Sequence, residues 1–142
     1  MSAAITPREA NIFACLTETV VAPGGGLPPL ARTDAVSFFG TLLERSPRLN
    51  RLGLRGILYA LEVGPLARGF STRFRALAPA QRVRYLAELK RGGGIPGRLV
   101  QAVAAVGKLA YYGDDGVMRA LGYDADAVVA RGRTVRDAEG RW

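Results

Sequence analysis

The sequence predicts an all-α fold: a single compact bundle of about five main helices with a short C-terminal helix after them. Three observations carry that expectation. Capping residues recur just ahead of apolar positions spaced by three and four. The period-two alternation that marks a half-buried strand is nearly absent. Clusters of Gly and Pro at 23–29, 64–65 and 92–94 divide the segments from one another.

The first helix opens on Thr6-Pro7-Arg8-Glu9, with a hydroxyl at the N-cap, Pro at the first helical position and Glu three residues after the cap. That is a capping box, in which two backbone N–H groups are satisfied reciprocally. Ile12, Phe13, Leu16 and Val20 follow as one stripe, and Pro23 ends it. The run from Pro23 to Pro29 is a connection rather than a phosphate loop, because it lacks both the terminal Gly-Lys-Ser/Thr and a preceding strand. Thr33-Asp34 starts a second helix reaching about Arg45, with Val36, Phe39, Leu42 and Leu43 as its apolar face. Ser46-Pro47 caps a third, with Leu49, Leu52, Leu54, Ile57, Leu58 and Leu61 on one side and Arg48, Arg51 and Arg55 on the other.

Gly64-Pro65 is expected to stop that helix, and Phe70, Phe74 and Leu77 beyond it read as a plug over the bundle. Pro79 opens a fourth helix with Val83, Leu86 and Leu89 inward and Tyr85 beside them, behind an Ala78 cap that offers no side-chain acceptor. After the triple glycine, Pro96 begins the fifth and most apolar helix, carrying Leu99, Val100, Val103, Ala104, Val106, Gly107, Leu109 and Ala110. Its small residues let neighbours approach closely, so it is expected at the centre. Asp114 caps a two-turn helix closed by Gly122. The folded domain is thus expected over 1–123. The tail, 124–142, alternates charge around Val128, Val129, Val135 and Trp142, and is expected to be helical to about Arg131 and disordered beyond without a partner.

The 142 residues include no histidine and one cysteine. No Ser-His-Asp triad, Cys-His dyad or imidazole base can be built, and Cys15 alone cannot supply a thiolate zinc cluster. The expectation is a non-catalytic chain with no cofactor or metal of its own, and the apolar neighbours of Cys15 predict a buried, unreactive thiol. The net charge is +8, and between Arg45 and Lys108 there are 13 basic residues against Glu62 and Glu88. Either these are solvated helix faces, or they form a nucleic-acid surface built on Arg48, Arg51, Arg55, Arg82 and Arg84. The row Arg48, Arg51, Arg55 is the one basic stripe at regular helical spacing, and its aliphatic stems can cover leucines. The opening residues lack a basic region followed by an apolar core, so no secretion signal is expected. The longest apolar stretch, Leu99 to Tyr112, is broken by Gln101 and Lys108 and falls short of the ~20 residues of a membrane span. A cytoplasmic protein without membrane insertion is expected.

Asp114 and Asp115 stand at a helix start, where capping and the helix dipole hold a carboxylate ionised and make it a poor proton donor. Without a third acid they are a weak magnesium site. Tyr111 and Tyr112 could stack bases, but directly after a central helix they read first as core or interface packing. Three tyrosines and a methionine fall within 111–123. That density of aromatic and adaptable side chains predicts a partner interface formed by Tyr111, Tyr112, Asp114, Met118, Leu121 and Tyr123.

The Thr-Pro-Arg-Glu start, the Pro-Gly loop, Thr33-Asp34-Ala35-Val36, the block Phe74-x-x-Leu77-x-x-x-x-Arg82-x-x-Tyr85-Leu86, and above all Tyr111-Tyr112-Gly113-Asp114 followed by Met118-Arg119-Ala120-Leu121-Gly122-Tyr123 form a recognisable set. With it the chain resembles the gluconate 2-dehydrogenase subunit 3 family, the small subunits of flavin-dependent glucose–methanol–choline oxidoreductases. The similarity runs over about residues 6 to 124. It implies a non-catalytic accessory subunit that binds and stabilises, or helps to mature, a large subunit carrying FAD and the catalytic histidine. The chain departs from many members of that family in lacking a twin-arginine signal and in having Met118 where Trp is common.

Overall fold

Seven α-helices and two 3-10 turns make up the regular structure of residues 5–23, 25–122 and 125–139, which the computed structural model describes; no strand occurs among them. The helices are α1 (Pro7–Val21), α2 (Ala35–Arg45), α3 (Arg48–Ala67), α4 (Pro79–Gly92), α5 (Gly94–Tyr112), α6 (Asp115–Ala120) and α7 (Ala125–Glu139). The 3-10 turns, Leu30–Arg32 and Phe74–Ala76, lie before α2 and before α4. The expected all-α bundle of five main helices with a short one, α6, after them is observed, and a further helix of 15 residues, α7, follows it.

The local signals act as the residues dictate. Thr6 Oγ1 accepts from Glu9 N (3.2 Å) and Glu9 Oε2 accepts from Thr6 N (3.0 Å), so the capping box of α1 is complete. Gly93 (φ +61°) and Gly94 (φ +74°) turn the chain between α4 and α5 through left-handed backbone that a side chain would strain. At the weak start of α4, Gln81 Oε1 accepts from Ala78 N (3.2 Å), which supplies half of a capping box.

Helix α5 is the centre, packed on α1, α2, α3, α4 and α6. Two glycines make the crossings possible. A Cβ on Gly97 would stand 2.5 Å from the Leu89 carbonyl oxygen of α4, and one on Gly107 would stand 2.5 Å from Thr17 Oγ1 of α1. The main core joins Ile12, Phe13 and Leu16 of α1 to Phe39 and Leu43 of α2, Leu58 and Leu61 of α3, and Val103 of α5, with Phe13 and Phe39 stacked at 4.0 Å. Phe74 and Leu77 close it as the expected plug, against Tyr85. Each such side chain, fully buried, contributes about 1.5–3 kcal/mol. A smaller core gathers Val21, Leu30, Ala35, Ala110, Tyr111 and Val117 around the loop side of α5.

Four expectations are corrected. Gly64-Pro65 does not stop α3, which runs on to Ala67. Pro65 forfeits the backbone bond to the Leu61 carbonyl, and the helix outlasts it by only two residues; Gly64, lacking a Cβ, relieves the clash of the proline ring with the residue before it, and the Gly64 site receives the Tyr85 hydroxyl edge. In α4 it is Tyr85 that is buried and Val83 that is exposed. In α3, Leu49 and Leu52 are exposed, and the core-facing side is Leu54, Leu58, Leu61 and Pro65. The tail helix α7 extends past Arg131 to Glu139, with Asp126 in its first turn and Arg136 in its last, charges that suit the helix dipole. Of its apolar anchors, Val129 and Val135 are exposed, whereas Trp142 and the Val128 side chain lie outside the described residues.

Candidate partner interface

Successive helical residues point about 100° apart, and that angle separates the two tyrosines at the end of α5. Tyr111 turns inward and is completely buried, while Tyr112 is 41% exposed, the two rings meeting edge to face at 5.1 Å. The Tyr111 hydroxyl donates to the Pro28 carbonyl (2.7 Å) and pins the Pro-Gly loop to the helix. Burial pushes the Tyr111 phenol above its ordinary value, with smaller contributions from Tyr112 and Asp114. Tyr111 is therefore a core residue, and its expected place in the interface is withdrawn.

Asp114 has two structural tasks. Its Oδ1 accepts from Gly116 N (2.9 Å) and Val117 N (3.2 Å), the N-cap of α6 read from the sequence. Its Oδ2 accepts from Asp34 N (3.0 Å) at the start of α2, 80 residues away in the chain. One carboxylate thus ties two helix N-termini, where both dipoles favour its charge. Asp34, whose own side chain makes no capping bond, has its amide held by this distant acid instead. An Asp114→Ala variant is expected to lose about 2 kcal/mol and roughly 5 °C in thermal midpoint, with Asp114→Asn losing less, as thermal unfolding followed by circular dichroism would show.

Beside this joint lies a groove of about 170 Å³ lined by Asp34, Phe38, Leu109, Ala110, Gly113, Asp114 and Asp115. Phe38 and Leu109 on its wall are 44% and 66% exposed, and Leu121 at the end of α6 is more than half exposed. Met118 is half-buried, and Tyr123 lies outside the described residues. Of the expected set, Asp114 lines the groove, Tyr112 and Leu121 are exposed and Met118 is half-buried, while Phe38, Leu109, Asp34 and Asp115 are groove residues outside that set. Phe38 had a sequence signal, an aromatic off the Val36–Phe39–Leu43 face. Leu109 had none, because α5 is apolar on nearly every side. Apolar anchors rimmed by carboxylates on a chain of net charge +8 suit a partner that offers an apolar patch with basic neighbours.

The arginines scatter to other work. Arg55 Nε lies 3.6 Å from Oε1 of the buried Glu9, so Arg55 is part of the α1–α3 joint and does not belong to a free basic row. Arg51 is half-buried and Arg48 exposed. Arg82 donates to the carbonyls of Phe74 (3.3 Å) and Arg75 (2.6 Å), and Arg84 pairs with Glu88 (3.3 Å) while lying over the Phe70 ring. Cys15 is buried, and desolvation raises its thiol above the ordinary range. Among the described residues no three acidic, thiol or imidazole groups converge to hold a metal, and no helix is long and apolar enough to cross a membrane.

No family model, no curated protein and no solved structure matches this chain.

Proposed function

We propose that this chain is a non-catalytic accessory subunit that binds and stabilises a flavin-dependent oxidoreductase of the glucose–methanol–choline type in the cytoplasm, the FAD and the chemistry residing in the large subunit. The observation that carries the reading is the groove in which the exposed Phe38 and Leu109 stand beside the Asp34–Asp114 joint, with Tyr112 of α5 and Leu121 at the end of α6 also exposed. Tyr112, Asp114 and Leu121 fall in the segment where the sequence resembles the small-subunit family most distinctively. The absence of histidine supports the same reading, since the chain lacks the commonest proton-transfer side chain.

The test is co-purification of the tagged chain from its native host, with the flavin absorbance of the captured complex as readout. A stoichiometric FAD protein is expected with the parent chain. Leu109→Asp with Leu121→Asp is expected to leave the circular dichroism unchanged, because both side chains are already exposed, and to weaken the complex by at least about 30-fold, the effect of losing one interface anchor of about 2 kcal/mol. Recovery of the parent chain with no flavoprotein would sink the proposal.

A further inference from the structure

A groove of about 390 Å³ runs between α4 and α5 and ends against Val20 of α1. Small-molecule sites occupy about 300–1,000 Å³, and this groove shares no lining residue with the one beside Asp114. Helical spacing builds one wall: Gly97, Gln101, Ala104 and Lys108 recur on α5 at intervals of four, three and four residues and so fall on one line along the helix. Leu86, Leu89 and Lys90 of α4 form the wall opposite, and the small side chains of Ala104 and Ala105 leave the space between them open. The two helices meet at Gly97, where a Cβ would stand 3.9 Å from the Lys90 Cα, so Lys90 marks one end of the groove. Lys108 marks the other, eleven residues farther along α5, or roughly 16 Å by helical rise.

The charges single this groove out. Of the 20 cationic side chains in the sequence, all but Lys90 and Lys108 are arginines, and both lysines line it. Arg55, Arg75, Arg82 and Arg84 are bound to groups of the protein itself. Among the described residues, by contrast, neither lysine takes part in an ion pair or a hydrogen bond, and no acid lines the groove. Lysine suits the rim of such a site, because its aliphatic stem lengthens the apolar wall while the ammonium stays in water as a point charge.

We propose that the groove binds a long-chain dicarboxylate, an apolar chain with an acid at each end. The methylenes lie against Leu86, Leu89, Val100 and Val20, and one ammonium meets each carboxylate. The separation of the two lysines decides among anions. A phosphate monoester, with its charge in one place, would find a single ammonium at either end, and a fatty acid would leave one of the two unused. A folded partner would need a larger contact than this groove offers.

Calorimetric titration of the full chain with dodecanedioate tests this. A one-to-one complex with a Kd of about 10–100 µM is expected, with a raised thermal midpoint at saturation. Dodecanoate, the same chain with one acid, should bind about threefold more weakly. Adipate, too short to reach both lysines, should not bind at millimolar concentration. Lys90→Gln and Lys108→Gln should each weaken dodecanedioate about threefold and each erase its advantage over dodecanoate, which a merely structural lysine would not do. Ala105→Trp, on the exposed wall, should fill the groove and abolish binding with unchanged circular dichroism. Equal affinity for the two ligands in the parent chain, or an affinity unchanged by the double Lys→Gln substitution, overturns the proposal. A chain that ignores the diacid and sediments instead with phosphatidylglycerol vesicles overturns it equally. None of these outcomes bears on the flavoprotein contact, which uses other residues.

Discussion

An Arg75→Ala variant is expected to lose about 3–5 kcal/mol of folding stability, a large part of the 5–15 kcal/mol typical of a domain. Glu62 of α3 is only 1% exposed, and its Oε1 accepts from Arg75 Nε at 2.9 Å. Its Oε2 has no hydrogen-bond partner. Removing the guanidinium leaves a desolvated carboxylate alone in the core, which is far more unfavourable than the intact pair is favourable. Arg75 also sits in the Phe74–Ala76 turn that plugs the bundle, and Arg82 holds that turn through the Phe74 and Arg75 carbonyls. Urea unfolding would show a midpoint shift of the expected size. Combining Arg75→Met with Glu62→Leu is expected to recover most of the loss. A double variant as unstable as the single one would show that the buried charge is not the cause.

Tyr111→Ala is expected to be comparably severe, about 3–5 kcal/mol, because it opens a cavity in the smaller core and releases the Pro28 loop at once. Tyr111→Phe keeps the ring and loses only the hydroxyl's bond to Pro28, about 1–2 kcal/mol. The pH dependence has a definite sign. The phenols of Tyr111 and Tyr85 are both raised from an ordinary value of 10, chiefly by burial. In the unfolded chain they ionise earlier, so their contribution is fully present below about pH 10 and is lost as pH rises toward the raised values. Denaturation between neutral pH and pH 11 should therefore show an alkaline loss that is smaller in Tyr111→Phe. An alkaline slope unchanged by that substitution would show that Tyr111 is not the titrating group.

What was legible in the sequence is what neighbouring residues decide among themselves. The Thr6–Glu9 box, the proline at the start of α4, the triple-glycine break and the Asp114 cap are contacts within three or four residues, and each stands where the residue pattern puts it. The same locality explains the misread end of α3. A Gly-Pro pair is a local stop signal, yet packing of the buried Pro65 and the Gly64 site against the rest of the bundle outweighs the one backbone hydrogen bond that the proline removes.

Which side of an apolar helix faces inward is a different kind of fact. In α3 the leucines run nearly all round, so periodicity could not tell Leu58, fully buried, from Leu49. In α5 it could not tell Val103 from Leu109, and between Tyr111 and Tyr112 composition offers no preference at all. The groove beside Asp114 draws its other wall, Phe38 and Asp34, from a part of the chain some 75 residues earlier, which no reading of the 111–123 segment alone could supply. Ion pairs behave likewise: Arg55 looked like one member of a basic row until Glu9 of α1 was beside it.

The residue order settles the helices, their caps and their breaks, because hydrogen bonds three or four residues apart need only the local chain. The burial of Tyr111, the double use of Asp114 and the two grooves beside α5 were decided by how α5 passes between α1 and α4. That crossing depends on two missing methyl groups, at Gly97 and Gly107, meeting atoms that the chain supplies from elsewhere.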